Sequence, residues 1–261
     1  MKTTKFASVI MLAISVLSCT SDDVNNDAIT GTGVLTVEFD NAYNNSDLLF
    51  ETSVYNAVDT EKIKISDVKY IVSNIRLEDE DGEVYTVPKN ESYFIVDESN
   101  ENSLLIDLSD VPAGNYKKIT FGIGVDQEKY LEGATGQGDF LSKAEEAGMM
   151  WSWQAGYKFF RYEGLYTSAT TTTETAFTFH MGSHGTALDN YKEMTLDMPT
   201  TARVRTDISP VVHIVSDLSQ VLNGKTQFKL DDAPQIHVDA VKSPKIAENV
   251  IGMFKVHHVH N

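Results

Sequence analysis

The sequence predicts an all-β protein: an antiparallel β-sandwich of immunoglobulin-like type with a few short helical insertions. Three observations lead there. Apolar and polar residues alternate with a period of two over many short runs, as in strands that bury one face. Clusters of Gly, Pro, Asn and Asp, which supply turn conformations, separate those runs. No strand–helix–strand rhythm accompanies them, which argues against a parallel sheet flanked by helices.

The first residues stand apart from that pattern. Lys2 and Lys5 precede an apolar run from Phe6 to Leu17, the layout of a secretory leader. The run falls short of the ~20 apolar residues that span a bilayer. It ends at Val16-Leu17-Ser18-Cys19, a small residue before the chain's one cysteine. That arrangement resembles a bacterial lipobox, in which cleavage leaves the cysteine lipidated at the new N-terminus. Residues 1–18 are therefore expected to be a lipoprotein signal peptide, and residues 19–31 an acidic flexible tether. Residues 32–261 are expected to form one β-sandwich domain. Acidic residues directly after the cysteine resemble the export signals of surface lipoproteins. The expected address is the outer membrane, on its surface or its periplasmic side.

The formal charge of −17 becomes −19 once a leader with two lysines and no acid is removed. Such a surface argues against nucleic acid as a partner, and it leaves membrane attachment to the lipid on Cys19. One cysteine allows no intrachain disulfide, so stability must come from a core.

Taken in order, Gly33–Phe39 reads as the first strand and Asp40–Asp47 as an Asn-rich loop before the short run Leu48–Phe50. Lys62–Leu77 alternates over a long span, with Ile63 and Ile65 in one phase and Val68, Tyr70 and Val72 in the next. Glu78–Gly82 offers a hairpin turn, because Asp-Gly tolerates the positive φ such turns need. Val84–Val87, Tyr93–Val96, Leu104–Leu108 and Tyr116–Gly124 follow as strands, the last after the turn Pro112–Asn115. Asp139–Ala147 reads as a short helix capped by Asp139 and stopped by Gly148. Thr170–Met181 alternates as a strand, and Glu193–Met198 with Ala202–Ile208 reads as a strand pair. Val211–Leu222 fits either a helix or a strand. Pro244–Met253 looks helical, with Pro244 in its first turn, before the closing run Phe254–Asn261. Covered sheet edges would make the protein a monomer.

Enzyme motifs come up short, and no catalytic activity is expected. Gly122-Ile123-Gly124 lacks the third glycine and the helix of a dinucleotide loop. Met181-Gly182-Ser183-His184-Gly185 lacks the glycine two before the serine that a nucleophile elbow requires. The acidic turn Asp79–Asp81 lacks the ligand spacing of a calcium loop and reads as a solvated hairpin tip.

Two groups of residues carry more chemistry. Gly148–Gly164 holds both tryptophans, Trp151 and Trp153, beside Met149 and Met150. A strand of aromatic core accounts for such a stretch, and so does a soft-metal or redox site. The seven histidines all follow residue 179: His180 and His184, the single His213 and His237, and the terminal His257, His258 and His260. Imidazole suits copper, zinc, iron or nickel, and a thioether biases the choice toward copper(I). The threonine-rich alternation before His180 argues for a strand ending in a glycine turn that folds His184 back. His258 and His260 would project to one side of a strand. If Trp151–Gln154 is a regular strand, Met150 faces away from both tryptophans.

Gly148–Phe159, Gly-Met-Met-Trp-Ser-Trp-Gln-Ala-Gly-Tyr-Lys-Phe, resembles the signature of the MbnP family of methanobactin-associated copper-binding proteins. Gly33–Phe39, Asp67–Leu77, Val111–Tyr116, Phe121–Asp126 and the His258-Val259-His260-Asn261 ending are similar to its lipoprotein branch. The resemblance implies a secreted or outer-membrane-associated β-sandwich that binds copper. In some members it implies that a tryptophan is oxidised to kynurenine by a di-haem partner enzyme of the MauG type and joins histidines at the metal. His180, in Phe179–Ser183, matches a histidine–glycine step of the family, whereas His184-Gly185 departs from the cysteine-containing ending of methanotroph-type members.

Two readings of function result. In the first, a cell-envelope lipoprotein acquires, stores or delivers copper. His180 and His184 are then ligands, Trp151 or Trp153 is the modified neighbour, Met150 adds a weak thioether, and His258 with His260 forms a second pair. In the second, a surface lipoprotein binds a glycan or a protein through exposed aromatics, with no metal.

Overall fold

The computed structural model describes residues 29–152, 156–183 and 185–261. Its strands are β1 (Thr32–Tyr43), β2 (Ser46–Asp47), β3 (Tyr55–Asn56), β4 (Lys62–Asp79), β5 (Val84–Thr86), β6 (Tyr93–Asp97) and β7 (Leu105–Pro112). They continue with β8 (Gly114–Ile123), β9 (Lys158–Thr167), β10 (Thr175–Gly182), β11 (Lys192–Val204), β12 (Val211–Asp217), β13 (Gln235–Ile236) and β14 (Phe254–His260). The helices are α1 (Gln127–Leu131), α2 (Gly133–Gly136), α3 (Gly138–Glu146), α4 (Ser219–Asn223) and α5 (Lys242–Ile251).

These strands form the two sheets of a β-sandwich. One runs β14-β12-β1-β2 with β7 also on β1, and the other runs β11-β8-β4-β9-β10-β13 with β3, β5 and β6 on β4. Most neighbours are antiparallel, as expected. Two are parallel, β1 with β12 and β10 with β13, so each sheet is mixed. The alternation is realised as burial: Leu35, Val37 and Phe39 of β1 and Val212 and Ile214 of β12 point inward. The phase change in β4 is a register irregularity against β9 between Ile65 and Asp67, which lets Ile63, Ile65, Val68 and Tyr70 all reach the core.

An aromatic quartet joins the sheets. Phe39 of β1 and Phe254 of β14 meet Tyr70 of β4 and Phe121 of β8 edge to face, with ring centroids 5.3–6.2 Å apart. Each such pair is worth ~0.5–1.5 kcal/mol beyond simple burial. Tyr70 is fully buried, and its hydroxyl finds partners across the interface at 3.0 Å from Asn41 Oδ1 and 3.1 Å from Ser216 Oγ.

Several local readings need correction. Residues 193–208 are not a strand pair: β11 runs through Met198–Thr201 with a register shift, and both halves pair with β8. Pro199, which cannot donate to a ladder, sits in that irregular stretch. Val211–Leu222 is both alternatives in turn, strand β12 and then helix α4. Gln137, not Asp139, is the N-cap of α3, and Asp139 lies in its first turn.

The closing strand carries His257, His258 and His260. β14 pairs with β12 as Val211↔His260, Val212↔Val259 and His213↔His258, then shifts to Ile214↔Val256. One residue, His257, is thereby left as the extra member of a β-bulge. The end of β14 is tied to the other sheet by Asn261, whose Oδ1 accepts from Arg203 N at 2.6 Å and whose Nδ2 donates to the Thr201 carbonyl at 3.0 Å.

Tyr70→Phe keeps the ring and strips two buried polar partners of their donor or acceptor. Urea unfolding should show a loss of about 1–3 kcal/mol with an unchanged denaturant slope. A loss below about 0.5 kcal/mol would show that the hydroxyl does not tie the sheets together.

Candidate functional site

Beyond the end of α3 the two described arms of the Trp stretch, residues 148–152 and 156–164, pair with each other through an antiparallel bridge between Met150 and Tyr157. Gly148, at φ +70°, ends the helical run, and three cations hold the last carbonyls. Lys158 Nζ donates to Gly148 O at 2.9 Å, Arg161 Nη1 to the same oxygen at 3.3 Å, and Lys69 Nζ to Ala147 O at 3.5 Å. Basic side chains there satisfy carbonyls that the helix leaves open. The chain then folds back, with Lys158 N donating to Met149 O at 2.7 Å and Trp151 N to Gly156 O at 3.1 Å. Met149 and Trp151 turn inward, at 0% and 6% exposure, and Met150 between them is half-buried against the core. Trp151 is therefore not on a long regular strand. Burial alternates all the same, and Met150 lies off the Trp151 face, as strand geometry implies.

Trp151 is set against β10. A Cβ on Gly182 would sit 2.3 Å from the Tyr157 carbonyl and 3.1 Å from Trp151 Cζ2, so these arms close only over a glycine. The Trp151 ring lies 6.3 Å from His180, which in turn stacks on His237 at 4.9 Å and 18°. Lys158 Nζ stands 5.8 Å from the Trp151 ring on a cation–π path. His180 Nε2 is 2.7 Å from Glu163 Oε1, and Arg161 Nη2 reaches Glu163 Oε1 at 2.7 Å and Asp67 Oδ2 at 3.0 Å.

Electrostatics fixes the state of this row. The hydrogen bond from His180, with help from Arg161, holds Glu163 down to about 2. Burial lowers His180 below the ordinary imidazole range despite the pull of Glu163, and Lys158 and His237 push the same way as burial. His180 is thus a neutral imidazole at neutral pH. Its Nε2–H faces the carboxylate, which leaves Nδ1 with a lone pair. Burial, and Arg161 after it, lower Lys158 as well.

The terminal histidines assemble elsewhere. His258 Nδ1 lies 3.3 Å from His213 Nδ1 and 2.8 Å from His257 Nδ1, and His258 Nε2 lies 2.8 Å from His260 Nε2. His213 Nε2 is 3.3 Å from Asp40 Oδ2. His258 is shifted below the usual imidazole range, first by lost hydration and then by His213, His260 and His257. Among the described residues, His213, His257 and His258 are the group whose potential ligand atoms all lie within 4.8 Å of one another.

The expected gathering of histidines around the Trp motif is thus divided between the sheets. His180 meets Trp151 on the larger sheet, and His258 and His260 meet each other on the smaller one. Cys19, Trp153 and His184 lie outside the described residues. Sequence reasoning missed Glu163, the partner that fixes His180, because a carboxylate seventeen residues away carries no local signal. It also missed the parts of His213 and His257. His213 is joined to β14 only by strand pairing, and strict alternation would put His257 on the face opposite His258.

Glu163 ionises in the fold well below its ordinary value of 4.5, so its stabilising contribution is complete above about pH 4.5 and is lost as pH falls toward about 2. The lowered His180 acts in the same direction below its ordinary 6.5, where the unfolded chain takes up the proton first. Urea midpoints should fall on acidification, and less steeply for Glu163→Gln between about pH 4.5 and 2. Parallel curves for the two proteins would remove Glu163 from this role.

No curated protein matches the chain. Among solved structures, MbnP from Methylosinus trichosporium is similar, with a TM-score of 0.47 and 14% sequence identity over 80% of this chain and 82% of that one. The family model MbnP matches residues 32–238. That span takes in most of the sequence, including β1–β13 and the Trp151 stretch, and the chain belongs to the MbnP family.

Proposed function

We propose that this protein is a copper-binding lipoprotein of the cell envelope, anchored through Cys19 and holding its metal beside Trp151. The observation that carries the reading is the Trp151 ring 6.3 Å from His180, a neutral imidazole whose Nδ1 is left open by the Glu163 contact. Membership of the MbnP family supports the choice of copper. The residues fit the metal: imidazole nitrogen is a good copper ligand, and a carboxylate on the far nitrogen raises its basicity. His237, stacked nearly parallel to His180, cannot aim its own ring nitrogens at the same ion without turning, so it acts as a wall. His184, four residues beyond His180 in the sequence, is the further imidazole we assign to the site.

Trp151 is the tryptophan we assign for oxidation to kynurenine. That conversion adds two oxygens and removes carbon monoxide, and it needs an external oxidant, the part we give to a di-haem partner of the MauG type. The competing reading, an aromatic platform for a glycan, requires an exposed indole. Trp151 is only 6% exposed, which favours the metal.

Copper titration of protein from its native source should show one tight equivalent that His180→Ala weakens by at least about tenfold. Intact-mass and peptide analysis of the same material should find two oxygens gained and one carbon monoxide lost on the Trp151 peptide. Unchanged copper affinity in a His180→Ala, His184→Ala double variant would end this assignment.

A further inference from the structure

Three features at the edge of the smaller sheet point to one ligand. The first is the bulge in β14. In a regular strand His257 would face away from His258; as the extra residue between two ladder pairs it is re-aimed, and its Nδ1 comes to 2.8 Å from that of His258. The neighbouring strand β12 supplies His213 directly opposite His258, with the two Nδ1 atoms 3.3 Å apart. Ligands of a tetrahedral ion with metal–nitrogen bonds of about 2.0–2.1 Å lie roughly 3.3 Å from one another, so little movement is needed to seat an ion.

The second feature is the outer contacts, which sort the nitrogens. Asp40 takes the Nε2 side of His213 at 3.3 Å, and His260 takes the Nε2 side of His258 at 2.8 Å. A carboxylate can only accept, so Asp40 favours the His213 tautomer with its proton outward and its Nδ1 lone pair inward, the arrangement that metal-ligating histidines ordinarily show, while His260 holds the far side of the His258 ring. The third is access. His213 and His257 line an open groove of about 390 Å³ whose walls carry Asp40, Asp47 and Asp217 against the single cation Lys255, a net negative approach for a metal ion.

We propose that His213, His257 and His258 form a second metal site, separate from the Trp151–His180 region, that binds a borderline divalent cation such as Zn(II) or Cu(II) through three imidazole nitrogens. Asp40 and His260 are its positioning residues. The donor set holds imidazole alone, with no thiolate or thioether, which suits a divalent ion over copper(I). Three protein ligands leave a fourth position open toward the groove, for water or an exogenous ligand. The site goes beyond the proposed function in place as well as in metal: its ligands sit on β12 and β14, and His257 and His258 lie outside the span that the family model matches.

The test is Zn(II) titration of the full-length secreted protein by calorimetry, with Co(II) absorption as a second readout of coordination. The wild type should bind one equivalent with the intense visible bands of a tetrahedral cobalt centre. His213→Ala and His257→Ala should each abolish those bands, and Asp40→Asn should weaken Zn(II) about 10- to 100-fold. His180→Ala should leave Zn(II) binding at this site intact, so failure here and failure of the copper site are separable. His213→Ala decides the matter. Chelation by an exposed histidine-rich ending alone would survive it, and wild-type affinity in that variant would overturn the proposal. Should His213→Ala fail to fold, wild-type affinity in both Asp40→Asn and His257→Ala overturns it equally.

Discussion

The structure rests on a buried hydroxyl at the centre of an aromatic contact. Tyr70 brings a polar atom to the middle of the interface between the sheets, where an unpartnered hydroxyl would cost about 1–3 kcal/mol. Asn41 and Ser216 answer it from β1 and β12 of the opposite sheet. That requirement constrains how the sheets are set against each other more sharply than apolar packing does, because hydrogen bonds are directional and apolar burial is not. Phe39, Phe121 and Phe254 then close around the ring. Phe254 is the first residue of β14, so the terminal strand is registered from the core outward. The histidines at its far end inherit their positions from that anchor.

How far the sequence could be read depends on whether the cause was local. Alternation in β1 and the phase change between Ile65 and Val68 were visible because a strand's side chains report its own faces. The Gly148–Gly164 stretch was legible as special from its composition alone. Partner choice was not. Nothing in β1 says that β12 lies parallel beside it, and nothing near Pro199 says that β11 continues on the same neighbour beyond the irregularity. Both are decided by long-range packing. The same limit applies to the sites. His180 was identified as a residue type in a suggestive place, whereas its tautomer depends on Glu163, and the importance of His213 depends on which strand pairs with it.

The two histidine groups are built on different principles. Around Trp151 the ring is enclosed, the adjacent imidazole is desolvated, and three cations fasten the turn to the end of α3. Burial and hydrogen bonding set the protonation state there, and glycine at 182 lets the backbone close over the indole. At the edge of the smaller sheet the imidazoles are half-buried or exposed, and they are brought together by strand pairing. One environment suits chemistry that must be shielded from water, and the other suits exchange with solvent.

The bulge in β14 has a consequence for inheritance. Without His257, Ile214 would still stand opposite Val256 and His213 opposite His258, because those are the pairs on either side of the extra residue. A ring nitrogen is thus carried by the one position of the strand whose removal leaves every ladder partner where it was. A lineage could gain or discard that donor through a single in-frame codon, with the sandwich beneath it unaltered.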